Sequence, residues 1–199
     1  MDSLNIVDNP LPYIANLDTR RVEIIDLVVI HCTELPDLAT ARDYGRKIHY
    51  QDSRTGNSGH FYIERNGTIE QWVPADRVAH HVRGFNPRSI GIELVNSGRF
   101  PDWLDSRKQV MTEPYPYRQI ESLIGLLLHL DNALGNLEWI AGHEDLDLMN
   151  APATDDPAQQ VRRKLDPGPL FPWTKILAEI RLKRMFSATA PRSVPEYES

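Results

Sequence analysis

The sequence predicts an α/β fold: a single domain whose mixed central β-sheet, with parallel and antiparallel strands, is flanked by helices. Apolar, β-branched runs alternate along the chain with segments of helical periodicity, which is typical of strands joined through helices. An Asn66-Gly67 pair between two short runs indicates a hairpin, so at least one strand pair must be antiparallel. At 199 residues, the chain is long enough to bury one sizeable core.

The elements are predicted in order from these patterns. Strands are expected at 24–32, 61–64, 68–73, 89–95 and 138–141. Helices are expected at 37–51, 116–134 and 173–185, the first with Asp37 as its N-cap, and 146–160 is expected to be a long loop. The domain itself is predicted to span residues 24–186. Residues 1–23, rich in Asn, Asp and Pro, form an extension packed on it, and 187–199 a disordered tail.

Composition excludes several classes of function. A net charge of -6 argues against a nucleic-acid binder, whose domains usually carry a basic face. No apolar run is long enough to cross a bilayer, so membrane insertion is not expected. Cys32 is the single cysteine, which rules out a disulfide within the chain. The first twenty residues lack the features of a signal peptide, so we expect a cytoplasmic protein, and we expect a monomer.

A stretch late in the chain, 162–169 (RRKLDPGP), carries the strongest chemical signal. It sets a cation two residues before a carboxylate. On an extended segment, Lys164 and Asp166 would project to the same side, because side chains alternate with a period of two. A carboxylate that binds a metal, beside an ammonium that can meet developing negative charge, indicates a metal-dependent hydrolase.

Two histidines are suitable partners for Asp166. His31 ends the apolar run 27–30, and His143 follows the short run 139–142. A side chain at the end of a strand can reach into a cleft. Two imidazoles and one carboxylate form a ligand set found in catalytic zinc sites, which keep a fourth position for water.

Each of these residues also has an ordinary explanation. A histidine at a strand end is more often simply hydrogen-bonded, and an aspartate before Pro-Gly is usually a turn residue. Glu93 alternates with apolar neighbours, which by itself predicts a solvent-facing position on a strand. Cys32 alternates away from His31 and is expected to be a core thiol rather than a nucleophile.

Five ordered blocks of the sequence resemble the type 2, zinc-dependent N-acetylmuramoyl-L-alanine amidases. This family also includes phage lysozyme-like amidases and peptidoglycan-recognition proteins. The blocks are VVIHCTE (28–34), SGHFYIERNGTIEQWVP (58–74), AHHVRGFNPRSIGIELVNSG (79–98), IAGHEDL (140–146) and RRKLDPGPLFPW (162–173). The resemblance implies the type 2 amidase fold and one zinc ion per chain. It also implies hydrolysis of the amide between N-acetylmuramic acid and L-alanine in muropeptides or peptidoglycan.

The resemblance also implies roles for individual residues. The zinc ligands would be His31, His143 and Asp166. Glu93 would activate water and Lys164 would steady the tetrahedral intermediate. Substrate contacts are expected from His81, Arg83 and Asn96.

The chain departs from the family pattern at three places. Some members carry a catalytic tyrosine where this chain has Gly59, and bacterial relatives commonly have tryptophan where it has His80. The connection from His143 to Lys164 is also longer than usual, by an insertion at roughly 147–160.

Three functions stay open at this point. The first is a zinc amidase in cell-wall turnover or recycling of cytoplasmic muropeptides, which the missing signal peptide favours. The second is a module that binds peptidoglycan without cutting it. The third is a lytic endolysin or toxin with the same chemistry.

Overall fold

The structure is a computed structural model that describes residues 4–187. Its large sheet contains β1 (Ile6–Asp8), β2 (Leu27–Cys32), β3 (Phe61–Ile63), β4 (Ile69–Gln71), β5 (Ser89–Leu94), β6 (Trp139–Gly142) and β9 (Lys183–Arg184). A separate two-stranded hairpin consists of β7 (Asn150–Pro152) and β8 (Gln160–Arg162). The α-helices are α1 (Leu38–Gly45), α2 (Tyr117–Leu134), α3 (His143–Leu146) and α4 (Trp173–Glu179).

The large sheet is mixed, with the strand order β1-β4-β3-β5-β2-β6-β9. All neighbouring strands are parallel except β3 and β4, which form an antiparallel pair. The turn between these two strands contains Gly67 at φ +92°, a conformation that glycine adopts without steric cost. The predicted α/β class with a mixed sheet is therefore confirmed.

The central strand β2 is buried on both faces, as expected for a strand flanked by parallel neighbours. Val28 and Ile30 belong to the large hydrophobic cluster that includes the apolar face of α2. Leu27 and Val29 belong to a smaller cluster on the opposite face. His31 follows at the carboxyl end of the strand and shares the face of Val29, because side chains alternate. The strand therefore delivers one polar side chain to the face opposite α2.

Helix α2 begins one residue after its predicted start and ends where predicted. Gly135 follows it in the left-handed conformation, with φ +72°, and donates its N–H to the carbonyl of Asp131. The buried side of this helix packs against the central strands, on the face of the sheet opposite His31.

Helix α1 is shorter than predicted. Asp37 caps it as expected, since its carboxylate accepts a hydrogen bond from Thr40 N at 2.7 Å. The helix ends at Gly45 rather than at residue 51, because the groups of the next helical turn are paired elsewhere. Gly45 O accepts from the Tyr13 hydroxyl at 2.7 Å, and His49 N donates to Thr55 O at 2.9 Å. The Trp72 ring packs against Gly45, where a Cβ would lie 3.1 Å from the ring.

The predicted helix at 173–185 is also too long. It ends at Glu179, and the chain then forms the edge strand β9 beside β6. Lys183 N donates to Glu138 O and Met185 N donates to Ile140 O, both at 2.8 to 2.9 Å. Pairing with the exposed edge of β6 outweighs helical periodicity in this segment, because it satisfies backbone groups on both strands.

Two further segments contain strands. The extension 1–23 contributes the edge strand β1, which pairs with β4. The predicted loop 146–160 contains β7 and runs up to β8, so it is mostly a hairpin. Of the predicted tail, residues 188–199 lie outside the described part of the chain. A helix able to cross a membrane is absent from residues 4–187.

Candidate metal centre and active site

Three side chains from distant parts of the chain converge at the carboxyl end of β2. His31 Nδ1 lies 3.0 Å from His143 Nδ1 and 3.0 Å from Asp166 Oδ2, and His143 Nδ1 lies 3.1 Å from the same oxygen. All three residues are at most 3% exposed. The structure thus brings together the residues that the sequence predicted as metal ligands.

Strand topology explains this convergence. β2 runs parallel to β6, so the carboxyl ends of both strands meet at one edge, where ligands commonly bind in α/β sheets. His143 is the first residue of α3, directly after β6. The loop carrying Asp166 is joined to α3 by a hydrogen bond from Glu144 N to Asp166 O at 2.9 Å. Each ligand is therefore held by regular structure or by the backbone of a neighbour.

The chemistry of these residues fits a divalent cation. Ligands of a tetrahedral zinc ion lie about 3.3 Å apart at bond lengths of about 2.0 to 2.1 Å, close to the triangle described above. Asp166 Oδ1 and His143 Nε2 are buried and have no hydrogen-bond partner among residues 4–187. A carboxylate oxygen and two imidazole nitrogens around one point form a donor set that a divalent cation can take.

The protonation states of His31 and Asp166 fit the same conclusion. Burial lowers the pKa of His31 to about 4, although the nearby Asp166 acts in the opposite direction. Burial alone would raise the pKa of Asp166, but the imidazoles of His143 and His31 hold it well below its ordinary value. At neutral pH, His31 is therefore neutral and Asp166 is ionised. These are the forms in which both residues bind metal.

Glu93 lies beside this centre. It is the register partner of His31 across the β2–β5 pair, and its Oε1 lies 4.0 Å from His31 Nδ1. Its side chain is only 15% exposed, so the expectation of a solvent-facing residue, drawn from alternation alone, is wrong. The apolar residues of β5 face the core, and Glu93, on the other face of the strand, lines a cleft. Burial, and then the charge of Asp166, raise the pKa of Glu93 to about 8.

Gly59 packs closely against Glu93. A Cβ on this residue would lie 2.9 Å from Glu93 Cγ and 3.1 Å from Gly91 O. Cβ contacts under 3.0 Å are essentially absent from folded proteins, so the Glu93 side chain occupies space that a side chain at position 59 would need.

The metal centre opens into a cleft of about 770 Å³. Lys164 lines this cleft together with Glu93 and Asp166. Asp166 and Lys164 thus reach the same space, as their two-residue spacing predicted. The cleft beside the candidate ligands is therefore lined by a cationic residue, Lys164, and a carboxyl group, Glu93.

The residues predicted to contact substrate divide into two groups. His81 and Arg83 line the cleft, and Arg83 is exposed. Asn96 does not line it: its amide donates to Glu113 O at 3.1 Å and accepts from Gly98 N at 2.9 Å. Asn96 therefore holds loop backbone rather than facing the cleft.

A buried ion pair near the site had no signal in the sequence. The Arg99 side chain is fully buried and donates to Glu34 Oε1 at 2.7 Å and to Glu34 Oε2 at 3.0 Å. It also donates to the carbonyl oxygens of Arg162 at 2.9 Å and Arg163 at 3.3 Å. This brace ties the exit of β2 to the backbone that leads into Lys164.

Fold and site together define a class. This is an α/β protein with a buried two-histidine, one-aspartate centre at the carboxyl ends of parallel strands, open to a cleft with a carboxyl group and a lysine. Such an arrangement is typical of metal-dependent hydrolases.

Comparison with known proteins gives the family. Residues 20–169 match the family model described as N-acetylmuramoyl-L-alanine amidase, well over half of the chain. The chain therefore belongs to the N-acetylmuramoyl-L-alanine amidase family, which confirms the predicted resemblance and the prediction of an enzyme class.

Solved structures agree with this membership. The endolysin and N-acetylmuramoyl-L-alanine amidase LysCS from Clostridium intestinale URNW is 25% identical, with a TM-score of 0.60, over 90% of this chain and 97% of that chain. AmiD from E. coli is 26% identical, with a TM-score of 0.55, over 78% of this chain and 57% of that chain. AmiD was solved with the substrate anhydro-N-acetylmuramic acid-L-Ala-D-gamma-Glu-L-Lys.

One curated relative is a phage protein. The endolysin of Klebsiella phage KP32 is 32% identical over 81 residues, which are 39% of this chain. The match spans about half (51%) of that endolysin.

Proposed function

We propose that this protein is a zinc-dependent amidase that cleaves the amide bond between N-acetylmuramic acid and L-alanine in muropeptides or peptidoglycan. The main support is that side-chain atoms of His31, His143 and Asp166 lie within 3.1 Å of one another, in a chain of this amidase family. AmiD, a relative of similar fold, acts on a muropeptide of this kind.

The three ligands would hold one zinc ion. Bound zinc supplies positive charge that polarises the amide carbonyl and lowers the pKa of water toward ~7. The ligand side chains are buried, so the charge would be screened less than at an exposed surface site.

Glu93 is the proposed general base. Its Oε1 lies 4.0 Å from His31 Nδ1, close enough to accept a proton from a water molecule at the centre. Burial raises its pKa to about 8 in the metal-free protein, and a bound cation nearby would lower that pKa toward neutrality, where a carboxyl group can both take the proton and return it to the leaving amine.

Lys164 is the proposed stabiliser of the oxyanion. It lines the same cleft as Glu93, where a cationic group can meet the negative charge that develops on the carbonyl oxygen. Arg99 holds the backbone that leads into Lys164, which positions the start of this side chain. His81 and Arg83 are further candidates for substrate contact, since both line the cleft.

Mass spectrometry of products from purified muropeptides tests this function. We expect free peptide beginning with L-alanine, and we expect a chelator to abolish its release until zinc is restored. His31→Ala should lose both zinc and activity. Release of another fragment, or turnover that survives complete zinc removal, contradicts the proposal.

The biological role has two candidates with distinct support. Turnover or recycling of muropeptides is favoured by the likeness to AmiD, whose substrate carries an anhydro sugar. Lysis is favoured by the likeness to endolysins from phage KP32 and from Clostridium intestinale. Parallel assays on intact sacculi and on a purified anhydromuropeptide separate the two roles. A module that only binds peptidoglycan is disfavoured, because the ligand set, Glu93 and Lys164 are all present.

A further inference from the structure

A chain of hydrogen bonds leads away from the candidate ligand His31 on the side opposite the metal centre. His31 Nε2 lies 3.0 Å from His81 Nδ1, and His81 Nε2 lies 3.1 Å from Ser89 Oγ. Ser89 Oγ in turn lies 2.8 Å from the carbonyl oxygen of Phe85. Both ring nitrogens of His81 are therefore engaged with protein groups.

The direction of these bonds follows from counting protons. The carbonyl of Phe85 can only accept, so the single hydroxyl proton of Ser89 points to it. Ser89 Oγ must then accept from His81 Nε2–H. In a neutral imidazole the other nitrogen is an acceptor, so His81 Nδ1 accepts from His31 Nε2–H. His31 Nδ1 is left without a proton, and it is the atom that faces His143 and Asp166.

His81 is held firmly in this position. Its ring lies against Gly91, where a Cβ would stand only 2.6 Å from the imidazole. The ring of His60 packs edge-on against it at 5.6 Å, and its backbone N donates to Asn86 Oδ1 at 3.0 Å. Gly91 lies in the middle of β5, so the sheet itself provides the space for this ring.

We propose that His81 and Ser89 are positioning residues: they hold His31 as its Nε2–H tautomer and aim its Nδ1 lone pair at the metal. The inference rests on the zinc site of the proposed function and adds two residues to it. Ligating histidines usually donate their second N–H to a carboxylate, a carbonyl or water, and loss of that partner typically weakens metal binding about 10- to 100-fold. In this chain the partner is a second imidazole, so its own tautomer must be fixed, which is the role of Ser89.

Zinc affinity, measured by competition with a chromophoric chelator, tests the role of position 81. His81→Phe keeps a ring but removes the acceptor, so we expect affinity to fall about 10- to 100-fold. His81→Asn puts an amide oxygen near the position of Nδ1, and we expect it to recover most of the loss. His80→Phe is the matched control, because the adjacent ring packs on Tyr50 and not on His31, and its affinity should stay within about twofold of wild type.

The outcomes separate this inference from the proposed function. If the wild-type chain binds no zinc, the proposed function fails. If it binds zinc but His81→Phe binds equally well, or if His81→Asn is as weak as His81→Phe, the positioning role is wrong. Melting of the metal-free variants shows whether a loss reflects unfolding.

Nuclear magnetic resonance of the wild-type chain gives a test that needs no variant. Long-range ¹H–¹⁵N correlation spectra distinguish the two neutral tautomers of a histidine ring. We expect protons on Nε2 of both His31 and His81 in the zinc-loaded protein, and a change in the His81 pattern in Ser89→Ala. A proton on His81 Nδ1 in the wild type would overturn the assignment.

Discussion

Glu93 carries a carboxyl group at the end of a central strand, where burial raises its pKa from an ordinary value of 4.5 to about 8. Two neighbours account for this environment. Gly59 leaves the space that the side chain occupies, and Asp166 adds negative charge nearby. The role proposed for Glu93 therefore depends on a residue without a side chain as much as on the carboxyl group itself.

Replacement of Glu93 by glutamine should separate catalysis from metal binding. We expect kcat to fall by about 10²- to 10⁴-fold, the usual contribution of a general base, while zinc binding persists. Steady-state rates and zinc content measured on the same preparations check this. Near-normal turnover in Glu93→Gln would exclude Glu93 as the base.

The same variant should change how stability depends on pH in the zinc-free protein. Because the folded-state pKa is raised, the contribution of Glu93 is fully present below pH 4.5 and is lost as pH rises through about 8. Glutamine does not titrate, so the variant does not lose this stability as pH rises. The loss in the wild type is on the order of 1.4 kcal/mol for each unit of pKa shift. Urea unfolding from pH 4 to 9 should show the variant gaining on wild type across this window. A constant difference at every pH would contradict the raised pKa.

Gly59→Ala should disturb catalysis without touching a ligand. The new Cβ would lie 2.9 Å from Glu93 Cγ, so the carboxyl group must move. A displacement of about 1 Å at a reacting group can lower the rate about 10²-fold, and we expect a loss of about tenfold or more with zinc content unchanged. Gly125→Ala on helix α2, remote from the cleft, is the control. Equal activity in the two variants would mean that Glu93 has room to adjust.

At the scale of elements, the site depends on segments that meet through one buried ion pair. Arg99 joins Glu34, just after β2, to the carbonyls of Arg162 and Arg163, which follow the hairpin insertion. Helices α1 and α4 end early because other segments take up backbone hydrogen bonds that a longer helix would need. Tyr13 and Thr55 do so after α1, and β6 does so after α4. Contacts between elements thus override the local patterns that predicted longer helices.

Breaking this brace should be costly. Arg99→Met leaves Glu34 as a buried carboxylate without its partner, and removing one member of such a pair typically costs about 3 to 5 kcal/mol. Urea unfolding of the single variants and of Glu34→Gln with Arg99→Met measures the coupling. We expect the double variant to be more stable than Arg99→Met alone. Purely additive losses would mean that the pair does not act as a unit.

At the scale of the whole molecule, the metal centre joins three regions that are far apart in the sequence. His31, His143 and Asp166 come from β2, from the start of α3 and from the loop before α4. A cation bound by all three would stabilise the folded state, since the unfolded chain has no preformed site. Metal removal should therefore be visible in the stability of the entire domain.

Zinc should raise the melting temperature, and the rise should grow with the logarithm of the free zinc concentration once that concentration exceeds Kd. The expected stabilisation is about 2.7 kcal/mol at a free zinc concentration of 100 times Kd. Calorimetry with zinc and with a chelator measures it, and His31→Ala should abolish the difference. A zinc-dependent shift that persists in His31→Ala would indicate binding elsewhere.

Much of this protein was determined by its sequence. Alternation and periodicity gave the central strands, the Asn66-Gly67 hairpin and helix α2, because these signals depend on neighbours along the chain. The ordered motifs gave the family and singled out the three candidate ligands. Local patterns could not decide where α1 and α4 end, because those ends depend on hydrogen bonds to Tyr13, Thr55 and β6.

Only the tertiary structure decided the rest. Alternation marked Glu93 as opposite to the core, but not whether open water or a cleft lay on that side. The brace between Glu34 and Arg99, and the hydrogen bonds from His31 through His81 to Ser89, join residues that no spacing rule relates. The physical reason is that protonation, tautomer and burial depend on neighbours in space, and these are fixed only when the strands pair in register.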